Sequence, residues 1–325
     1  MNGKTKTKEH RRVKWSTIEP KPISWFWKNW IPSGKLTILV GDTGLGKTTL
    51  ALDLAARLTT GRPMPLCEAV PDTKPLIGNV LYQSNEDEVD DTLLPRCIVA
   101  GADCDRIEHI EADNLNIDED CDLIEQNIIE ANARLVIWDP LQSFMGKNAD
   151  MCRITDIRRL LTNLGGIAAR NDCAILIIAH QTKSSSANEI HRVFGSVDIT
   201  ATARSVLRVS KSEDDPDTRI LSHIKSSVSR PSQPIAFRIM DDAPIVYLGE
   251  YDGEFDAVEI SEDYSKRSKA AEIICEMLKG GPVEGTKIFE ACKEAGIGTR
   301  TVEQMKKELN VRSGRDGNRR VWIMG

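Results

Sequence analysis

Between about residues 20 and 249, short apolar runs alternate with longer amphipathic stretches. Lys35–Val40, Asn79–Gln83, Leu135–Asp139 and Ala174–His180 are rich in Leu, Ile, Val and Ala, and the segments between them are long enough for crossover helices. Strands with continuous rather than alternating apolar character are buried on both faces, the signature of a parallel sheet covered by helices. Four further candidates, Ser205–Ser210, Arg219–Ile224, Pro234–Ile239 and Pro244–Leu248, follow at short intervals. The last two are joined by the polar turn Met240-Asp241-Asp242-Ala243. Such spacing suits antiparallel pairing, so the expected fold is α/β with a mostly parallel central sheet and an antiparallel flank.

After an acidic, weakly patterned stretch at 250–265, expected to be a linker, the period becomes helical. Ser268–Leu278 places Ala271, Ile274 and Leu278 on one face, and Gly280-Gly281-Pro282 stops it. Glu284–Ala295 follows with Ile288, Phe289 and Cys292 inward, then a third helix after Gly298. The third carries Val302, Met305 and Leu309 on one side and Arg300, Gln304, Lys306 and Lys307 on the other. Val311-Arg312 and Arg319–Met324, around a polar turn, close the chain as a hairpin. Three helices and a hairpin within 266–325 predict a small winged helix-turn-helix domain. The expected division is thus a basic tail at 1–19, an α/β domain at 20–249, the linker, and the winged helix at 266–325.

Composition narrows the class. With 40% hydrophobic and 28% charged residues over 325 positions, wholesale disorder is excluded. No apolar run approaches the roughly 20 residues that a membrane span needs, and the lysine-rich start has no apolar stretch behind it. A cytoplasmic protein without membrane contact is expected. The eight cysteines form no Cys-x-x-Cys and do not cluster with the five histidines, which argues against zinc and disulfides. Residues 1–14 carry six Lys/Arg against one Glu, and residues 266–325 carry thirteen against eight Asp/Glu. Each end is therefore +5, and the net charge of −6 leaves −16 for the body. Basic ends on an acidic body make the ends the better nucleic-acid contacts.

Gly41-Asp42-Thr43-Gly44-Leu45-Gly46-Lys47-Thr48 fits the phosphate-loop pattern G-x-x-x-x-G-K-[ST] in full, with a strand before it and a helix from Thr49 after it. The glycines let successive N–H groups turn toward a phosphate, and the helix N-terminus adds partial positive charge. Lys47 is expected to reach the β- and γ-phosphates of ATP and Thr48 to hold Mg²⁺. The strand Leu135–Asp139 ends in an acid that a buried strand would avoid, so Asp139 is the second metal residue, directly or through water. Glu86, after the strand one over by chain order, is the favoured base toward the attacking water, with Asp87 in reserve. His180 ends another strand as a polar group able to sense the γ-phosphate.

Taken in order, the phosphate loop, Tyr82-Gln83-Ser84-Asn85-Glu86-Asp87, Val136-Ile137-Trp138-Asp139-Pro140 and Ile177-Ile178-Ala179-His180 resemble the RecA-like ATPases of the RepA type. These are hexameric replicative helicases of plasmids and phages. The resemblance covers about residues 20–245. It implies a homo-oligomeric, ring-forming DNA helicase with ATP between subunits and a cation supplied by a neighbour. Arg204, before a strand, and Lys225, ending one, match that role by position. In DnaB-like relatives an Arg follows the strand-ending Lys by two residues, where this chain has Ser227, leaving Arg204, Lys225 and Arg230 as alternatives. The loop Thr182–Phe194, with Lys183 and Arg192, falls where such rings grip single-stranded DNA. Arg300, Lys306, Lys307 and Arg319 are the candidate duplex contacts of the winged helix, which serves as well for protein docking. A primase or replication initiator is the implied partner. Trp25, Trp27 and Trp30 are assigned to the core rather than to base stacking.

Overall fold

A computed structural model describes residues 13–67, 75–112, 114–145, 154–180, 202–253, 262–309, 311–316 and 319–324. The chain enters through a small antiparallel pair, β1 (Trp25–Trp27) and β2 (Ile31–Pro32). Next come β3 (Leu36–Gly41), α1 (Lys47–Thr60), β4 (Asn79–Ser84), α2 (Leu94–Val99) and β5 (Ile107–Glu108). Then follow α3 (Cys121–Glu130), β6 (Ala133–Asp139), α4 (Ile154–Asn171), β7 (Ala174–His180) and β8 (Ser205–Lys211). Strands β9 (Thr218–Ser226), β10 (Ile235–Arg238) and β11 (Val246–Glu250) complete one nine-stranded sheet in the order β11-β10-β9-β8-β3-β7-β6-β4-β5. Pairing is parallel from β8 through β5 and antiparallel from β8 through β11, the mixed sheet that the apolar runs predict.

Each central strand feeds two cores, because successive side chains leave opposite faces of a pleated sheet. In β3, Leu36, Ile38 and Val40 join Leu160, Leu164 and Ile167 of α4 on one face. Leu39 joins Leu50, Leu54 and Leu58 of α1 on the other. Trp27 and Trp30 lie in the α1-side core with ring centroids 4.9 Å apart, as expected, whereas Trp25 is only half-buried and lies outside that core. Chain order misleads at one point. Strand β4, which leads to Glu86, is separated from the phosphate-loop strand β3 by β7 and β6. The short β5 and the β1–β2 pair go unread in the sequence, because strands of two or three residues carry no periodicity.

The C-terminal residues form α5 (Glu262–Leu278), β12 (Val283–Glu284), α6 (Gly285–Glu294), α7 (Thr299–Glu308), β13 (Arg312–Asp316) and β14 (Arg319–Ile323). Helix α5 begins inside the stretch expected to be linker. The three strands pair antiparallel in the order β12-β14-β13. Their core is separate from those of the large sheet and gathers Ile274, Ile288, Val302, Met305 and Trp322.

Candidate nucleotide site

Strand β3 ends at Gly41, where a side chain would meet the Val209 carbonyl of β8 at 2.6 Å, so only glycine lets the two backbones approach this closely. Gly44 and Gly46 follow in left-handed conformation, with φ of 77° and 84°. Gly46 caps α1 without a side-chain hydrogen bond, so no residue competes with an anion for the first amides of the helix. Lys47 is only 4% exposed and folds back over the loop, donating from Nζ to the carbonyls of Gly41 at 2.8 Å and Asp42 at 2.9 Å. Burial lowers the pKa of its ammonium, while Asp139, then Asp42 and Glu86, pull it back up.

Thr48 donates from Oγ1 to Asp139 Oδ2 at 2.7 Å, joining residues from α1 and the end of β6 across the intervening β7. A hydroxyl held on a carboxylate at the foot of a phosphate loop is an oxygen donor set suited to Mg²⁺, which takes one or two protein ligands and completes its shell with phosphate and water. Among the described residues no cluster of three His, Cys, Asp or Glu offers a separate metal site. The same Asp139 oxygen accepts a second hydroxyl, from Tyr82 of β4, also at 2.7 Å.

Glu86 and Asp87 follow β4 on an Ser84 turn, their amides donating to Ser84 Oγ at 3.4 and 3.2 Å. Asp87 pairs with Arg96 of α2 at 3.2 Å. Both acids line a cleft of about 1170 Å³ that opens beside Lys47 and Thr48. The far wall of the cleft includes Asp53, Arg219, Arg238 and the β10–β11 turn from Ile239 to Ile245. This wall was not read from the sequence. The one signal for it was Asp53, an acid on the otherwise apolar side of α1. Asp53 is 1% exposed and accepts from Arg57 Nε and from the hydroxyl of Tyr247 of β11, each at 2.8 Å.

The other predicted site residues fall in three groups. The His180 backbone pairs with Gly41 at the ends of β7 and β3, and its side chain lies outside the described residues. Lys183 and Arg192 lie outside them altogether, as does the side chain of Arg319. Arg204 is exposed, and its amide donates to the carbonyl of Leu36, the first residue of β3, at 3.1 Å. With about 3.3 Å of rise per residue, Arg204 stands some 16 Å along the sheet from the Gly41 end. Lys225 donates to the Ala203 carbonyl at 3.0 Å. Burial, aided by the adjoining Arg204 charge, brings its pKa down to about 8. On α7, Lys306 lies 4.4 Å above the Trp322 ring of β14 and donates to Ser313 Oγ of β13 at 2.8 Å, whereas Arg300 and Lys307 are exposed.

Comparison with known proteins matches this arrangement: the AAA domain family covers residues 5–186. The chain belongs to that family. The match supports an AAA-type P-loop ATPase domain, and within it Lys47, Thr48 and Asp139 stand together at the ends of parallel strands and the helix they feed. The DNA repair protein RadA of Halalkalibacterium halodurans is 30% identical over 160 residues, 48% of this chain and 30% of that protein. The DNA repair protein RadA of Mycobacterium tuberculosis is 27% identical over 162 residues, 48% of this chain and 29% of that one. The match thus spans less than a third of either relative. Among the described residues no helix is long and apolar enough to cross a membrane.

Proposed function

We propose that this AAA-domain chain is an ATP-driven motor on DNA, a ring-forming RepA-like replicative helicase of a plasmid, phage or integrated element. In this reading Lys47 leaves its two carbonyls for the β- and γ-phosphates of ATP, and the free amides of the α1 N-terminus take the remaining oxygens. Thr48, steadied by Asp139, would hold Mg²⁺, whose charge would offset that of the phosphates. Glu86, at the cleft mouth beside Lys47, orients and deprotonates the attacking water. Arg204, with Lys225 against it, serves the site of a neighbouring subunit.

The observation that carries the assembly is the placing of Arg204 at the opposite end of β3 from the phosphate loop. From there it is out of reach of its own phosphate loop, which supports the reading that it serves another's. Single-stranded DNA runs against the segment containing Lys183 and Arg192, and the C-terminal residues act as a winged helix that presents Arg300, Lys307 and Arg319. The order α5-β12-α6-α7-β13-β14 supports that assignment. A primase or replication initiator is the partner class.

The RadA matches favour a second reading, an ATPase that acts on DNA in repair without separating strands. Fork substrates of both polarities distinguish the two. The motor reading expects Mg²⁺-dependent ATP hydrolysis that quickens with single-stranded DNA, strand displacement, and a mass increase to a closed ring with ATP. DNA that leaves the hydrolysis rate unchanged in every salt concentration defeats it.

A further inference from the structure

Asp139 is the carboxylate on which the cation site depends, and Tyr82 has a part in that site that the phosphate-loop pattern does not announce. Strands β4 and β6 are parallel neighbours, with Tyr82 opposite Ile137 and Ser84 opposite Asp139. Side chains two apart share a face, so Tyr82 reaches diagonally along the sheet to Asp139. Its ring is 5% exposed and packs in the α1-side core with Leu93 and Cys97 of the α2 region. Phenylalanine would fill that place equally well. The hydroxyl instead ends on Asp139 Oδ2, the atom that Thr48 also holds.

The direction of the second bond is fixed. The phenol hydroxyl carries the hydrogen and the carboxylate oxygen can only accept it, so Tyr82 donates to Asp139 Oδ2. A carboxylate oxygen has two in-plane lone pairs. With Thr48 on one and Tyr82 on the other, Oδ2 has none to direct at a metal.

We propose that Tyr82 is a positioning residue of the cation site: it clamps Asp139 so that Oδ2 acts through the Thr48 hydroxyl, leaving the Thr48 oxygen to face the metal. The proposal rests on the ATP-and-Mg²⁺ reading of the site. It also ties the cation to β4, the strand that delivers Glu86, so that the metal residue and the water-activating residue are set by one sheet register.

The test is equilibrium binding of a fluorescent ATP analogue to the full chain, first in EDTA and then along a Mg²⁺ titration. For Tyr82→Phe, affinity in EDTA stays at the wild-type value and the thermal midpoint falls by no more than the few degrees that one lost buried hydrogen bond accounts for, while the Mg²⁺ concentration at half-saturation rises about tenfold, the scale expected when a partner behind a metal ligand is lost. An unchanged or lower half-saturation overturns the proposal. Should Tyr82→Phe fail to fold, 3-fluorotyrosine is incorporated at the four tyrosines, and the Tyr82 signal is assigned by elimination with Tyr247→Phe, Tyr251→Phe and Tyr264→Phe. A Tyr82 fluorine resonance that moves with the Mg²⁺ titration supports the clamp, and one that ignores it overturns it. Wild-type protein that binds no analogue, with or without Mg²⁺, removes the nucleotide reading itself, a result distinct from either.

Discussion

Ile239 lies directly over Gly46: a Cβ built on that glycine would stand 1.9 Å from the Ile239 Cδ1. The β10–β11 turn thus presses on the phosphate loop at its last glycine, and two separate demands meet there. Gly46 must hold a φ of 84° and must have no side chain. Gly46→Ala therefore loses at least about 1–3 kcal/mol to backbone strain alone. Nucleotide affinity falls with it, as binding to an immobilised or fluorescent analogue will show. Adding Ile239→Ala relieves the clash but not the strained φ, so the double variant regains stability only in part.

Lys47 is nearly enclosed, and its ammonium has two carbonyl acceptors at 2.8 and 2.9 Å. Lys47→Ala abolishes ATP turnover while leaving the fold intact, since truncation leaves carbonyls that the cleft can hydrate. Thr48→Ala and Asp139→Asn each raise the Mg²⁺ requirement. Because they share one hydrogen bond, their effects on Mg²⁺-nucleotide binding are not additive, with a coupling of about 0.5–3 kcal/mol in a double-mutant cycle.

Arg204→Ala keeps ATP binding and loses turnover by about 10³-fold or more, the scale of a cation lent to the transition state. The decisive measurement mixes it with Lys47→Ala. Two inactive proteins that recover activity on mixing share a site between copies. A mixture that stays dead, from proteins that still co-assemble, excludes supply in trans.

His223 gives a pH dependence remote from the cleft. Its Nε2 stands 3.0 Å from Ser205 Oγ, which in turn donates to the Trp30 carbonyl at 2.7 Å. The Ser232 amide donates to Nδ1 at 3.3 Å, so the ring is neutral, with its proton on Nε2. Burial lowers its pKa from 6.5 to about 4. Between those values the unfolded chain binds a proton that the folded chain refuses, so stability is full above pH 6.5 and falls toward pH 4. The slope is about 1.4 kcal/mol per pH unit at most, for a total of about 3 kcal/mol. Denaturant midpoints of wild type and His223→Gln across this range converge toward pH 4.

The parallel strands were legible because a strand buried on both faces must be apolar throughout, as Ile175–Ala179 is. The phosphate loop was legible because its glycines answer to local backbone geometry. What escaped reading depends on which strand lies beside which. Tyr82 and Asp139 are 57 residues apart and meet only because β4 pairs with β6. Chain order alone had brought β4 toward β3. The roof from Ile239 to Ile245 escaped for the same reason: nothing local to that turn tells of a glycine in a different crossover. Lys306 was read as a surface cation from helical period, yet its long stem lets it bend back over Trp322.

Asp53 joins two parts of the molecule that the chain separates widely, since Arg57 and Tyr247 both terminate on one of its oxygens. A helix pinned in this manner is not free to roll beneath its own loop. Through this one carboxylate the helix that follows the phosphate loop is fastened to the outermost antiparallel strand, so a change made at Asp53 is felt at both the floor and the rim of the sheet.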